Sequence, residues 1–191
     1  FCARLDQADR DIRNAADLMF ETPSVQARLE GTGVVNERAC HDLGLVGPTA
    51  RASGVARDVR SDHPHGAYQF AHIPVATAST GDVYGRALVR RHEAERSIQF
   101  LKTQLRSLPS GDTEFRTPVS KRASGRMVVC LVEGWRGEIA HAAMTDDAGA
   151  ISRYKVKDPS FHNWTALALA LRRTAISDFP ICNKSFNLSY C

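Results

Sequence analysis

The sequence lacks any apolar run long enough to cross a bilayer. Its longest runs, Met127 to Val132 and Ala166 to Leu171, fall far short of the roughly 20 residues that a membrane helix needs. Any attachment to a membrane is therefore expected to go through partners. The sequence also lacks CxxC spacing. Its five cysteines, Cys2, Cys40, Cys130, Cys182 and Cys191, are odd in number and scattered. That argues against a secreted disulfide scaffold and gives no zinc-ribbon or iron–sulfur signature. No GxGxxG follows a strand, which speaks against direct NAD binding. Ser189 and His162 do not make a hydrolase dyad, because no GxSxG elbow accompanies them. No leader is visible, since Phe1-Cys2-Ala3-Arg4-Leu5-Asp6 turns charged at once. A reducing cytoplasm is the expected compartment. Charge is short too: 25 Lys+Arg against 21 Asp+Glu leave a net +4. The basic residues are scattered and no stretch interleaves them with aromatics, so no nucleic-acid partner is expected.

The 191 residues, 43% hydrophobic and 24% charged, have the composition of an ordinary globular protein and suffice for one core. We expect a single domain, 1–191. Leu5, Ala8, Ile12, Ala15 and Met19 recur at helical spacing and predict an amphipathic helix. Thr22 is expected to cap a short helix opened by Pro23, and Asn36 another that ends near Gly44. Residues 45–82 show little periodicity, which marks a functional or interfacial stretch. The strongest helix is expected over 83–108, capped by Asp82, with Ala87, Ala94, Ile98, Leu101, Leu105 and Leu108 as its seam. Arg91 falls on that seam, either with its head reaching the surface or as a buried charge with a partner. A loop follows at Pro109, Gly111 and Pro118. Strands are expected within 126–157, turning at Trp135-Arg136-Gly137 and at Asp146 to Gly149. Asn163 is expected to cap a last helix over Trp164 to Arg173. Asp178-Phe179-Pro180 should break it, leaving Ile181 to Cys191 to trail on. The fold class is thus α+β, mainly long helices packed as a bundle with a small antiparallel sheet. The chain opens without Met inside a helix and stops at Cys191 with no terminator, so the protein is expected to continue at both ends.

Ordered blocks carry a resemblance. Gly47-Pro48-x-x-Arg51-Ala52-Ser53-Gly54, then Asp58-x-Arg60, then Asp62-His63-Pro64 resemble the GPxxRASG, DxR and DHP run of the large subunit of formate hydrogenlyase and of complex I. Glu133-Gly134-Trp135-Arg136-Gly137-Glu138 stands where that family has an E-A-P-R/K-G element. Pro159 to Trp164 resembles the segment before its last buried helix. The shared order covers essentially the whole chain and identifies it as similar to the nickel–iron hydrogenase / complex I large-subunit family. Working hydrogenases end in Asp-Pro-Cys-x-x-Cys; here Asn187 matches the Asp, Leu188 the Pro and Ser189 the first nickel-ligating Cys. A hard, high-pKa hydroxyl does not replace a soft thiolate. Loss of the nickel is therefore expected, with no cofactor held directly.

The resemblance implies a peripheral subunit on the cytoplasmic face of the membrane. It would pack on a small subunit that carries a 4Fe-4S cluster and would leave a nickel-free cavity for quinone or proton-coupled chemistry. An active hydrogenase and a purely structural subunit are the alternatives. The candidate catalytic residues are Arg51, Asp62, His63 and Arg136. Arg51 is implied to lie near the small-subunit interface, where its charge would raise a cluster's potential; its plainer role is to bond loop carbonyls or a carboxylate such as Asp58. His63 and His65 have no third metal ligand. Asp62-His63 then reads as a partner-facing or proton-handling pair. Arg136 matches an arginine that projects over the hydrogenase metal, although Trp135 replaces the preceding Pro; otherwise it is a hairpin-turn residue.

Overall fold

The computed structural model describes residues 1–108 and 121–190. The loop expected at Pro109, Gly111 and Pro118, and Cys191, lie outside the described residues. The elements run α1 (Cys2–Glu21), α2 (Pro23–Leu29), α3 (Glu37–Leu43), α4 (Gly47–Arg51), α5 (Val59–Asp62), α6 (Val83–Arg106), β1 (Met127–Gly134), β2 (Gly137–Thr145), β3 (Ile151–Lys157), α7 (Ser160–Ala170) and α8 (Phe179–Phe186). Short 3-10 turns occupy Gly66–Gln69, Leu171–Arg173 and Ile176–Asp178. The fold is α+β, as expected: helices dominate, and one antiparallel sheet has the order β1-β2-β3.

Helix α1 lies antiparallel on α6. Asp6 pairs with Lys102 and Asp17 with Arg91, so the two contacts stand eleven residues apart on both helices. That is three helical turns, which keeps both pairs on one face. Arg91 is partly exposed, pairs also with Glu95, and has its guanidinium 5.5 Å from the Phe20 ring centroid. The surface-reaching alternative is therefore the one realised. The seam expected on α6 is only partly buried: Ile98 is inside, but Leu101 and Leu108 are exposed. The buried face instead carries Val83, Gly85, Arg86 and Val89. Its arginine made that face look solvated in the sequence.

The main core gathers Val35, Cys40, Leu45, Ala50, Ala166, Leu167, Ala170, Cys182, Phe186 and Leu188. The aperiodic stretch threads through it in pieces too short to show a period. Ala78 N–H donates to Arg51 O at 2.9 Å, Gly81 N–H to Ala52 O at 2.9 Å, and Val35 N–H to Gly81 O at 2.9 Å.

Several cap assignments need correction. Thr22 precedes α2, but its hydroxyl donates to Leu18 O rather than capping. Helix α7 starts at Ser160, not Trp164, and Asp158 accepts from the Ser160 N–H at 2.7 Å. Asn163 is inside that helix and fully buried. Its side chain accepts from Val46 N–H at 3.2 Å and donates to Val46 O at 3.1 Å, so it pairs with a backbone segment 117 residues away. Asp178-Phe179-Pro180 opens α8 instead of ending a helix, because Pro in the first turn removes only an N–H that would be unpaired anyway. We expect Asn163→Leu to leave both Val46 groups buried and unpaired, costing roughly 1–3 kcal/mol for each. A urea midpoint within error of the parent would contradict the pairing.

Candidate functional site

Arg51 ends α4 at 1% exposure. Its Nε donates to Glu93 of α6 at 2.6 Å; its Nη1 donates to Arg57 O at 2.8 Å and to Glu133 of β1 at 2.9 Å. Asp58 lies 3.6 Å from Nη1 and is itself bonded by Arg60 at 2.9 and 2.6 Å. The second Glu133 oxygen accepts from the Val59 N–H at 3.1 Å. Two guanidiniums thus meet three carboxylates, all largely out of water. Burial pushes the Glu133 carboxyl above its usual range, with Asp58 adding to the push and Arg51 opposing it. Burial pushes Asp58 up too, but the Arg60 hydrogen bond and the Arg51 and Arg60 charges outweigh it and hold Asp58 low. Burial would lower Arg51, yet Glu93 and Glu133 leave it raised. Both plainer roles for Arg51 are present, a loop carbonyl and Asp58. The two glutamates join them from distant elements.

A second group of arginines grips the end of α8. Arg86, fully buried, donates to Ser185 Oγ at 2.9 Å, Gly81 O at 2.8 Å and Gly33 O at 3.1 Å, and its guanidinium carbon sits 4.3 Å from the Phe186 ring centroid. Arg90 donates to Ser185 O at 2.5 Å and Phe186 O at 3.2 Å, while its Nε is enclosed without a partner among the described residues. Arg136 Nε donates to Asn187 O at 2.5 Å. The last carbonyls of a helix have no intrahelical partner and carry partial negative charge. Here guanidiniums satisfy two of them, Ser185 O and Phe186 O, and then the carbonyl of the capping Asn187 that follows. None of the three arginines has a carboxylate ion pair among the described residues. Burial lowers Arg86 and Arg90 to about 10, which leaves both cationic at neutral pH. Burial also pushes the adjacent Cys182 thiol up, away from a reactive thiolate.

This clamp sets the wall of a cavity of about 350 Å³ lined by Arg136, Asn183, Lys184, Asn187, Leu188, Ser189 and Tyr190. Asn187 takes the left-handed conformation at φ 53° and turns the chain out of α8. The Ser189 N–H donates to Ser160 Oγ at 2.9 Å, and Asn183 donates to the Tyr190 hydroxyl at 2.8 Å. Among the described residues the lining offers two cations and several neutral polar groups and contains no thiol. A soft metal cation does not fit that donor set.

Of the sequence candidates, the structure brings Arg136 and Ser189 to this one cavity. The β1–β2 hairpin links it to the Arg51 cluster, since Glu133 meets Arg51 and Arg136 follows three residues later. Asp62 and His63 are elsewhere, exposed at the end of α5. Asp62 accepts from Asp58 N–H at 3.0 Å, and His65 Nδ1 lies 3.4 Å from His63 O. No group of three or more His, Cys, Asp or Glu that could hold a metal occurs among the described residues. Sequence reasoning missed Glu93, Arg86 and Arg90 as site residues. Their 4- and 3-residue spacing on α6 was the available signal, and the neighbouring apolar seam obscured it.

A family model described as "Respiratory-chain NADH dehydrogenase, 49 Kd subunit" matches residues 2–124. The chain is 35% identical over 188 residues to a carbon monoxide-induced hydrogenase of Rhodospirillum rubrum, covering 98% of this chain and 52% of that protein. It is 30% identical over 186 residues to formate hydrogenlyase subunit 5 of Escherichia coli (strain K12), covering 96% and 32%. It is 30% identical over 175 residues to an NADH-quinone oxidoreductase subunit of Herpetosiphon aurantiacus, covering 90% and 47%. The chain thus spans about half or less of these relatives' lengths. Among solved structures, one chain of the membrane-bound sulfane sulfur reductase, an archaeal respiratory membrane complex, superposes with a TM-score of 0.83 at 26% identity, over 98% of this chain and 52% of that one.

Proposed function

The chain belongs to the nickel–iron hydrogenase / complex I large-subunit family, that of the 49-kDa subunit of respiratory-chain NADH dehydrogenase, and from that premise we propose that it is a large-subunit-like component of a membrane-associated, multi-subunit redox complex. Among the described residues no helix is long and apolar enough to cross a membrane. In our reading the subunit is peripheral, on the cytoplasmic face, and reaches the membrane through partners. It packs on an iron–sulfur small subunit, whose 4Fe-4S cluster would supply the electrons.

The observation that carries this reading is the cavity beside Ser189. Its lining combines Arg136 and Lys184 with amide and hydroxyl groups and, among the described residues, has no thiolate donors. That chemistry suits an oxygen-bearing acceptor such as a quinone, or proton-coupled reduction, better than a nickel ion. Arg136 is the residue we assign to the acceptor. Its Nε is fixed on Asn187 O, and its terminal nitrogens make no hydrogen bond with the described residues. Held in this way, the fork can meet a developing oxyanion with little reorganisation. Arg51 positions the hairpin that carries Arg136 and places charge behind it. Asp62 and His63, exposed at the end of α5, are assigned to partner contact or proton delivery.

Two measurements test this reading. The full-length protein, purified with its neighbouring subunits, is expected to contain iron and no nickel; stoichiometric nickel would restore the active-hydrogenase alternative. In the assembled complex, Arg136→Ala is expected to lower turnover at least about tenfold, the loss of one charge-assisted hydrogen bond worth roughly 1.5–3 kcal/mol. Unchanged turnover on replacing Arg51, His63 and Arg136 one at a time, with assembly intact, would favour a purely structural subunit.

A further inference from the structure

Among the described residues the sheet is bare. All seven residues of β3 are exposed, and so are five of the eight in β1. The strand order β1-β2-β3 leaves the outer edge of β3 without a strand among the described residues. The register places Arg153, Lys155 and Lys157 of β3 on one face, opposite Met144, Ala142 and Ala140. Tyr154 and Val156, each more than half exposed, point to the other face beside Ala143 and His141. The three cations have no carboxylate partner among the described residues; only Lys157 has an aromatic one, Phe161 at 5.5 Å. An open, alternating edge with a row of cations on one face is a template for another strand.

We infer that the outer edge of β3 takes an extended acidic segment of a partner subunit as a fourth strand. Charge decides the occupant. A second copy of β3 added antiparallel across a twofold axis would place Arg153 across from Lys155 on one face, and like charges directly opposite are destabilising. A strand with Asp or Glu at alternate positions neutralises the row. Apolar residues between its carboxylates cover Tyr154 and Val156. Backbone hydrogen bonds along the edge supply the affinity, and the side-chain row supplies the register. The inference rests on the reading that the chain works inside a multi-subunit complex.

Hydrogen–deuterium exchange tests it on the full-length subunit alone and on the assembled complex. Recovery of the complex checks the functional reading independently of the exchange result. In the complex, the outward amides of β3 are expected to exchange at least about tenfold more slowly than in the subunit alone, and the triple variant Arg153→Glu, Lys155→Glu, Lys157→Glu is expected to lose that protection. The triple variant should leave exchange of α6 and α7 in the isolated subunit unchanged, which separates lost docking from misfolding. Equal exchange in both samples overturns the proposal. So does protection that survives charge reversal, since the occupant is then not acidic. Protection already present in the isolated subunit, dependent on its concentration or not, or produced by anionic phospholipid vesicles alone, overturns it as well.

Discussion

Replacing Arg51 by methionine is expected to lower the stability of the protein by about 3–5 kcal/mol, the range for breaking a buried ion pair by removing one partner. The cause is what remains. Glu93, Glu133 and Asp58 would face a space at 1% exposure with only Arg60 to balance them. A sequence-distant rescue follows: adding Glu133→Gln to Arg51→Met should return part of the loss, because it removes a charge that no longer has a partner. The pH dependence gives the sign. Glu133 has a raised pKa in the folded protein, so its penalty is fully present above that value and is relieved as pH falls toward its ordinary 4.5. Asp58 is held low. Its stabilisation is present above its ordinary 3.8 and is lost as pH falls through its depressed value. Mild acidification from neutrality should therefore stabilise through Glu133 before stronger acid destabilises through Asp58. Without Arg51 the Glu133 relief should grow, so the variant's deficit should be largest at neutral pH. Urea unfolding across pH measures this, and a deficit below about 1 kcal/mol, flat with pH, would show that the cluster is not a coupled unit.

The second large effect is expected at Gly47. This residue has φ +68°, and a Cβ placed there would lie 2.5 Å from Gly137 Cα, with the Arg136 carbonyl closer still. Both obstacles are backbone and have nowhere to swing. Gly47→Ala is expected to cost about 1 kcal/mol for the left-handed conformation and roughly 1–3 kcal/mol more for overpacking. It should also displace the hairpin and so lower turnover in the assembled complex through Arg136. Gly44 supplies the control: its φ is +65°, and a Cβ there meets nothing within 4 Å. Gly44→Ala should therefore show only the conformational cost and full turnover. Equal losses at the two positions would mean that the approach of α4 to the hairpin is not what holds Arg136.

Much of this molecule was legible in its residues. The helix α1, the Asp82 cap of α6, the sheet within 126–157 and the Asp146 turn depend on local spacing and local hydrogen bonds. Asp146, for example, accepts from the Ala148 and Ala150 N–H groups at 2.9 and 2.8 Å. Order and spacing of the Gly47–Gly54, Asp58–Arg60 and Asp62–Pro64 blocks sufficed for the family. Caps were less legible, because such side chains serve equally well at a helix start, on the preceding helical turn, as Thr22 does on Leu18 O, or against a distant backbone, as Asn163 does on Val46. Local sequence does not say which partner lies near.

What the sequence by itself determined was the class of fold and the family, since each rests on residue type and order. What only the tertiary structure decided was the set of partners: Arg51 with Glu93 and Glu133, Arg90 and Arg136 on the α8 carbonyls, Asn163 on Val46. Those partners are 42 and 82, 95 and 51, and 117 residues apart in the chain. An arginine in the sequence reads as a solvated charge. It becomes a structural clamp only where packing removes water and long-range contacts supply acceptors, and those contacts are set by how the helices and the hairpin meet.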